Sequence, residues 1–467
     1  MGTNRRDFGW LSIVRLGVVQ AALGAVVVLT TSTLNRVMVV ELALAAMVPG
    51  ALVTLHHAMQ LLRPRMGYGS DVGRRRSPWI VGGMAALAVG GVGASGATAL
   101  METHLAAGLA LALVSYALIG GGVSAGGTSL LVLMAKRVAA PRRAAAATIV
   151  WLMMIFGFAV TATVVGKLLD PFSSERLMLV TAGLCVLAFA VTLVATWGLE
   201  GRADDGAEAA EGAAPDAETS ARRPAFREAL RQVWAEPNAR RFTLFVFVSM
   251  LAYSAQDLIL EPFAGAVFGW TPGESTQLAG AQHAGVFVGM LLVAAVTTIF
   301  KGTAMASLKG WVVGGCLASG LAMLGLFAAG LHGPPWPLQA NVFVLGLANG
   351  AFSIAAIASM MTLAGRGRAS REGTRMGLWG AAQAIAFGAG GFLGTVLADG
   401  VEWIVGSSGA AYAGVFGLEA VGFFAAQYLA TRTRFEATGD APDASGTPAP
   451  EPDATGALGV AYQPEGA

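Results

Sequence analysis

The chain predicts an all-α integral membrane protein of twelve transmembrane helices, built as two six-helix pseudo-repeats. Three observations carry this expectation. Of 467 residues, 55% are hydrophobic and 12% charged, against about 25% charged in a typical soluble domain. The apolar residues gather into runs of about 20, the length a helix needs to cross a bilayer. An acidic, Ala/Gly-rich stretch without periodicity, "GRADDGAEAAEGAAPDAETSARR", then splits the runs six and six.

The opening "MGTNRRDFGW" has two arginines but no small-residue cleavage site, and reads as an uncleaved cytoplasmic end. The first half then holds runs at 11–35, 42–62, 79–100, 105–133, 146–168 and 176–198. The acidic stretch predicts a disordered linker. After it, "PAFREALRQVWAE" places Phe226, Leu230 and Val233 at helical spacing among charges, the pattern of a helix lying on a membrane surface. The second half holds runs at 241–262, 276–299, 310–331, 338–363, 377–398 and 409–430. The expected organisation is an N-terminal bundle over 1–199, a cytoplasmic linker over 200–240, a C-terminal bundle over 241–435 and a disordered tail over 436–467.

Orientation follows from charge. All 30 Lys and Arg except Arg36, Lys167 and Arg176 fall on one side if the N-terminus is cytoplasmic, so both termini are expected inside. Trp10, Trp79, Trp197, Trp311 and Trp379 then mark one interface, and Trp270, Trp336 and Trp403 the other.

The halves echo each other. Arg137, Arg142 and Asp170 recur as Arg366, Arg371 and Asp399, each 229 residues on, and "RVMVVE" parallels "QDLILE". Parallel repeats of six spans are how the major facilitator fold is built. "GYGSDVGRRR" resembles that superfamily's cytoplasmic loop signature: Gly67 and Gly73 permit a tight turn, Asp71 can accept from helix N-termini, and Arg74 and Arg75 hold the inner side.

Asp257 and Glu261, four residues apart, share one face in the outer part of the seventh run, with Pro262 where the helix should loosen. A charge at the bilayer centre costs roughly 2.5–3.5 kcal/mol on insertion scales, so such residues face the interior and find partners. Arg36, at the matching level of the first run, is the expected counter-ion in a cluster of Arg36, Asp257 and Glu261. That cluster reads either as a clamp on the outer mouth or as a contact for substrate or a coupling ion. Among the histidines, His56, His57 and His283 lie within runs. An intramembrane imidazole ordinarily hydrogen-bonds between helices, yet it can also occupy an axial position of a metal centre. Cys185 and Cys316 read as small buried apolar residues.

Catalytic signatures are missing. There is no Walker loop, HExxH or CxxC, and no membrane-embedded aspartate pair at the DxxxD spacing of a magnesium–diphosphate prenyltransferase. An enzyme is not expected, nor a metal site held by the protein alone.

Two segments carry a resemblance. "TLNRVMVVEL", and "AYSAQDLILEPFAGAVFGWTPGEST" followed by "GAQHAGVFVGM", are similar to signature segments of the PucC/LhaA group. This is the bacteriochlorophyll-delivery branch of the major facilitator superfamily. The matching positions are Asn35, Arg36 and Glu41, then Gln256, Asp257, Glu261, Pro262, Phe263, Gly265, Gln282 and His283. The short "GYGSDVGRRRSPW" loop fits a sister clade found with bacteriochlorophyll biosynthesis genes. The resemblance implies a protein of the inner, photosynthetic membrane that binds bacteriochlorophyll or a late precursor and delivers it to light-harvesting antenna or reaction-centre polypeptides. Pigment-synthesis enzymes are further expected partners. His283, and after it His56 or His57, would be the axial ligand. The alternatives are a proton-coupled transporter of a small amphipathic solute, with Asp257, Glu261 and Glu419 as proton carriers, and a pigment-free scaffold for antenna helices.

Overall fold

A computed structural model of the chain describes residues 8–60, 75–139, 142–200, 231, 234–364 and 372–433. Residues 201–230 of the expected linker, Phe226, Leu230 and Val233 of the expected surface helix, the tail, and Gly67, Asp71, Gly73 and Arg74 lie outside the described residues. Residues 237–240, expected in the linker, already belong to the seventh helix. Arg75 is exposed, and α3 (Ser77–Met101) starts beside it. The Glu200 carboxylate takes the N–H groups of Arg76 at 2.9 Å and Ser77 at 2.7 Å, so it caps a helix whose first N–H groups have no partner in their own turn.

Twelve helices account for the described chain. The first half has α1 (Trp10–Glu41), α2 (Met47–Met59), α3, α4 (Leu105–Arg137), α5 (Arg143–Leu168) and α6 (Ser174–Thr196). The second has α7 (Pro237–Phe268), α8 (Pro272–Ile299), α9 (Leu308–His332), α10 (Leu338–Ala364), α11 (Glu372–Val405) and α12 (Ser408–Arg432). Eleven of the twelve are long and apolar enough to cross a membrane, while α2 is described over 13 residues.

Each half has its own core. In the first, Leu23, Met84, Tyr116 and Cys185 pack together; in the second, Phe245, Phe263, Phe352 and Phe423 do. A small third cluster, Ile155 of α5 with Val286 and Met290 of α8, crosses the seam between them. The halves also meet where α2 packs on α11 and where α7 crosses the C-terminal part of α1. The end of the molecule reached by the C-termini of α1 and α7 is called the distal end below.

Three sequence expectations need correction. Trp379 does not mark an interface: it is 1% exposed inside the second half, its ring 4.8 Å from that of Phe242. The first span does not stop near residue 35. It runs on to Glu41 through two π-helical stretches, Leu29–Thr33 and Val37–Glu41. Nor does Pro262 loosen α7, which continues to Phe268 and ends where Gly269 turns left-handed at φ 70°. The missing N–H of Pro262 frees the Leu258 carbonyl, and that carbonyl accepts the Asn35 amide of α1 at 2.6 Å. A break that would be costly in hydrocarbon is thus repaired from the opposite half.

Candidate functional site

The polar residues of α1, α7 and α8 converge at the distal end of the seam. Arg36 is 2% exposed. Its guanidinium donates to the Glu41 carboxylate, to the Ser275 hydroxyl at 3.3 Å and to the Trp270 carbonyl at 2.6 Å. Glu41 lies five residues on, a spacing that an α-helix sends to different faces and that the i→i+5 winding of a π-helix draws together. Gly265 of α7 leaves the space for this arrangement: a Cβ there would lie 2.8 Å from Nη2 and 3.1 Å from Nε of Arg36.

Glu261, 2% exposed, accepts a hydrogen bond from the Ser32 hydroxyl. Its second oxygen has no partner among the described residues. Thr33 and Thr276 bridge α1 and α8 beside it at 3.1 Å.

The counter-ion of Arg36 is therefore Glu41, not Asp257. Asp257 lies one turn nearer the middle of α7, half-buried, without a hydrogen bond or salt bridge among the described residues, and within Coulombic range of Tyr253 and Glu419. Glu419 of α12 is 4% exposed, and neither carboxyl oxygen has a hydrogen-bond partner among the described residues. The expected three-residue cluster divides into a layer of Arg36, Glu41 and Glu261 and a separate pair, Asp257 and Glu419. Gln256 is fully buried, its amide without a hydrogen-bond partner among the described residues. Phe263 anchors an aromatic cluster, 5.0 Å from Phe416 and 5.6 Å from Tyr412.

His283 stands two turns beyond Thr276 on α8. Its Nδ1 donates to the Ala279 carbonyl at 2.8 Å, which leaves Nε2 as the lone-pair nitrogen. The imidazole is half-buried and meets the edge of Phe158 at 5.0 Å. Gly24 of α1 makes room for Phe158, since a Cβ there would overlap its ring. Gln282 is buried beside it. His56 and His57 lie far from this group, on α2, where both rings share the Gln60 amide at 3.1 and 3.3 Å. His57 also approaches Phe387 of α11 at 6.4 Å. No group of three or more His, Cys, Asp or Glu able to hold a metal ion occurs among the described residues.

Two further residues were legible only as repeats. Asp399 at the distal end of α11 accepts from the N–H groups of Ala46 and Met47 at 2.9 and 2.7 Å, capping α2 of the other half. Asp170, its counterpart at the distal end of α5, accepts from the Thr271 hydroxyl at 2.9 Å, at the start of α8. Each half grips the second helix of the other.

The family's sequence profile, described as "PUCC protein", matches residues 33–436. The chain belongs to the PucC family. It is 51% identical over 423 residues to the "Bacteriochlorophyll synthase 44.5 kDa chain" of Rhodobacter capsulatus, covering 91% of this chain and 95% of that protein. It is 28% identical over 431 residues to "Protein PucC" of the same organism, covering 88% and 89%. Among solved structures, a D-xylose–proton symporter superposes with a TM-score of 0.69 at 14% identity, covering 90% of this chain and 97% of that one. A bacterial homologue of the lysosomal transporter Spinster, inward-facing and unoccupied, does so with a TM-score of 0.64 at 16% identity, covering 92% and 98%. This PucC-family chain therefore has the major facilitator fold of two six-helix bundles.

Proposed function

We propose that the protein is a membrane assembly factor that binds bacteriochlorophyll, or a late precursor, and hands it to antenna or reaction-centre polypeptides. It works in the inner, photosynthetic membrane with both termini cytoplasmic, and performs no synthase reaction itself. The observation that carries this reading is His283. Its Nδ1 is tied to its own helix, so Nε2 is held ready for the magnesium of a bacteriochlorin, the arrangement by which a hydrogen bond to one ring nitrogen fixes the ligating tautomer. Phe158 supplies an aromatic neighbour and sets the orientation of the ring. The names borne by the relatives, one a bacteriochlorophyll synthase chain and one PucC, support pigment as the cargo.

The test is the near-infrared absorbance of protein purified in mild detergent from a pigment-making host, wild type beside His283→Ala. The expected result is a bacteriochlorin band in the wild type that is lost in the variant. A band that persists removes His283 as the ligand, and a colourless, folded wild type removes pigment carriage.

A second reading is favoured by Asp257, half-buried and unpaired in mid-span within Coulombic range of Glu419. Intramembrane carboxyls so placed form proton relays in transporters. On that reading a colourless protein would take up an amphipathic solute in response to a pH gradient, and Asp257→Asn would abolish the uptake.

A further inference from the structure

The two sides of the seam, α5 against α8 and α2 against α11, begin alike. Towards the distal end each sets a glycine against a threonine. A Cβ on Gly280 of α8 would lie 2.5 Å from the Thr163 hydroxyl of α5, and one on Gly50 of α2 would lie 2.3 Å from the Thr395 hydroxyl of α11. From this common point the sides diverge towards the opposite, proximal end. Six, seven and ten residues after Gly280 stand Val286, Phe287 and Met290, whereas the same steps after Gly50 reach His56, His57 and Gln60.

Between α5 and α8, Val286 and Met290 pack on Ile155, and the rings of Phe156 and Phe287 meet at 5.6 Å. Backbones touch as well: a Cβ on Gly166 would lie 2.6 Å from the Gly273 carbonyl, and one on Gly280 3.1 Å from the Thr163 nitrogen. Small residues that let backbones approach so closely are what hold helices together in lipid. Parting these two towards the proximal end would also bring their apolar cluster into water. Between α2 and α11, His57 opposes Phe387 at 6.4 Å, and a Cβ on Gly388 would meet His57 only at 3.8 Å, an ordinary contact. No apolar cluster joins α2 to α11 among the described residues. His56 and His57 share the Gln60 amide within α2 itself, so drawing α2 away from α11 leaves those bonds whole.

We infer that α5 and α8 form a fixed weld, and that the proximal half of the α2–α11 contact is the movable side of the seam, a side entrance for an amphipathic molecule dissolved in the membrane. The entrance leads inward along aromatic rings. Tyr253 of α7 stands 5.8 Å behind Phe387, and Asp257 follows one turn on, on the same face of α7; both are half-buried. The Asp399 carboxylate, bonded to the first N–H groups of α2, is the pivot about which the proximal part of α2 swings. The inference is independent of which cargo is carried.

The experiment uses the full-length protein in lipid nanodiscs, with Cys185→Ala and Cys316→Ala as background. Spin labels go on Ala58→Cys with Ile385→Cys across α2 and α11, and in a second sample on Val160→Cys with Val288→Cys across α5 and α8, all four positions being exposed. Double electron–electron resonance should give one narrow distance across α5 and α8, and two distances or a broad spread across α2 and α11. Copying the weld onto α2, by His56→Val with His57→Phe and Gln60→Met, should collapse that spread to one distance. The same triple change should slow severalfold the labelling of Tyr253→Cys by pyrene maleimide dissolved in the bilayer. Equal spreads on both sides, a broader spread across α5 and α8, or one narrow distance on both sides overturns the inference. A labelling rate that the copied weld leaves unchanged overturns the side entrance. The comparison of the two label pairs keeps every seam residue in place, so it holds even if the triple variant fails to fold.

Discussion

Asn35 and Gly265 show how single residues of α1 and α7 serve the opposite half. The Asn35 amide satisfies the carbonyl that Pro262 orphans, 2.6 Å away across the seam. Truncation to Ala leaves that carbonyl without a donor in hydrocarbon, a loss of about 1–3 kcal/mol. We expect Asn35→Ala to melt several degrees below wild type in detergent. Asn35→Ala combined with Pro262→Ala should recover most of the difference, because alanine in place of the proline restores the helical N–H. Gly265 admits the Arg36 guanidinium, so Gly265→Val should expel it and give little folded protein by size-exclusion chromatography. Arg36→Lys should be nearly as damaging, since an ammonium cannot span Glu41, Ser275 and Trp270 as a planar fork does. In contrast, Gly24→Ala should leave the fold intact and shift any bound-pigment band, because it displaces the Phe158 ring that rests against His283.

Helix ends carry the contacts that close the distal end. Asp399 supplies α2 with the cap its own Ala46 cannot provide, and Asp170 meets the start of α8 through Thr271. An N-terminal carboxylate is worth about 0.5–2 kcal/mol as a cap, with a further contribution from the helix dipole. The two together bias the halves towards distal closure without forbidding opening. In a Thr33→Cys background, where the thiol is buried in the seam, Asp170→Asn with Asp399→Asn should raise the rate of maleimide labelling severalfold. An unchanged rate would mean that these carboxylates do not hold the gate; the native cysteines are both buried and contribute little background. Span positions were readable from the sequence because a hydrophobic run of bilayer length has few alternatives. The ends of α1 and α7 were not, because what sustains them lies in the other half. A window around Pro262 holds no trace of Asn35, and a window around Arg36 cannot show that the backbone winds wide enough to bring Glu41 onto it. Asp170 and Asp399 were visible as a repeat, while their partners were too distant in sequence to infer.

At the scale of the whole molecule, two cores of nearly independent composition meet along a seam that is polar distally and apolar at Ile155, Val286 and Met290. Division of labour between halves predicts that the covalent connection is dispensable. The chain cut within 205–215 and expressed as two polypeptides should co-purify, and loss of co-purification in Asp170→Asn with Asp399→Asn would locate the association at the distal end. The sequence alone supplied the two-half plan and the residues to watch, whereas their grouping into one layer around Arg36 and one separate carboxyl pair needed three dimensions.

The reciprocal grip of Asp170 and Asp399 has a historical meaning. When residue i of one subunit holds residue j of its neighbour, and j's subunit holds back with the same residue i, the contact is isologous, the signature of two-fold pairing between identical partners. Here the two grips differ in detail, one on backbone N–H groups and one on a threonine hydroxyl, yet they occupy equivalent places. Such a pair is what a homodimer of six-helix subunits would leave behind after gene duplication and fusion, once each copy was free to drift. The distal latch then predates the division of tasks between the halves.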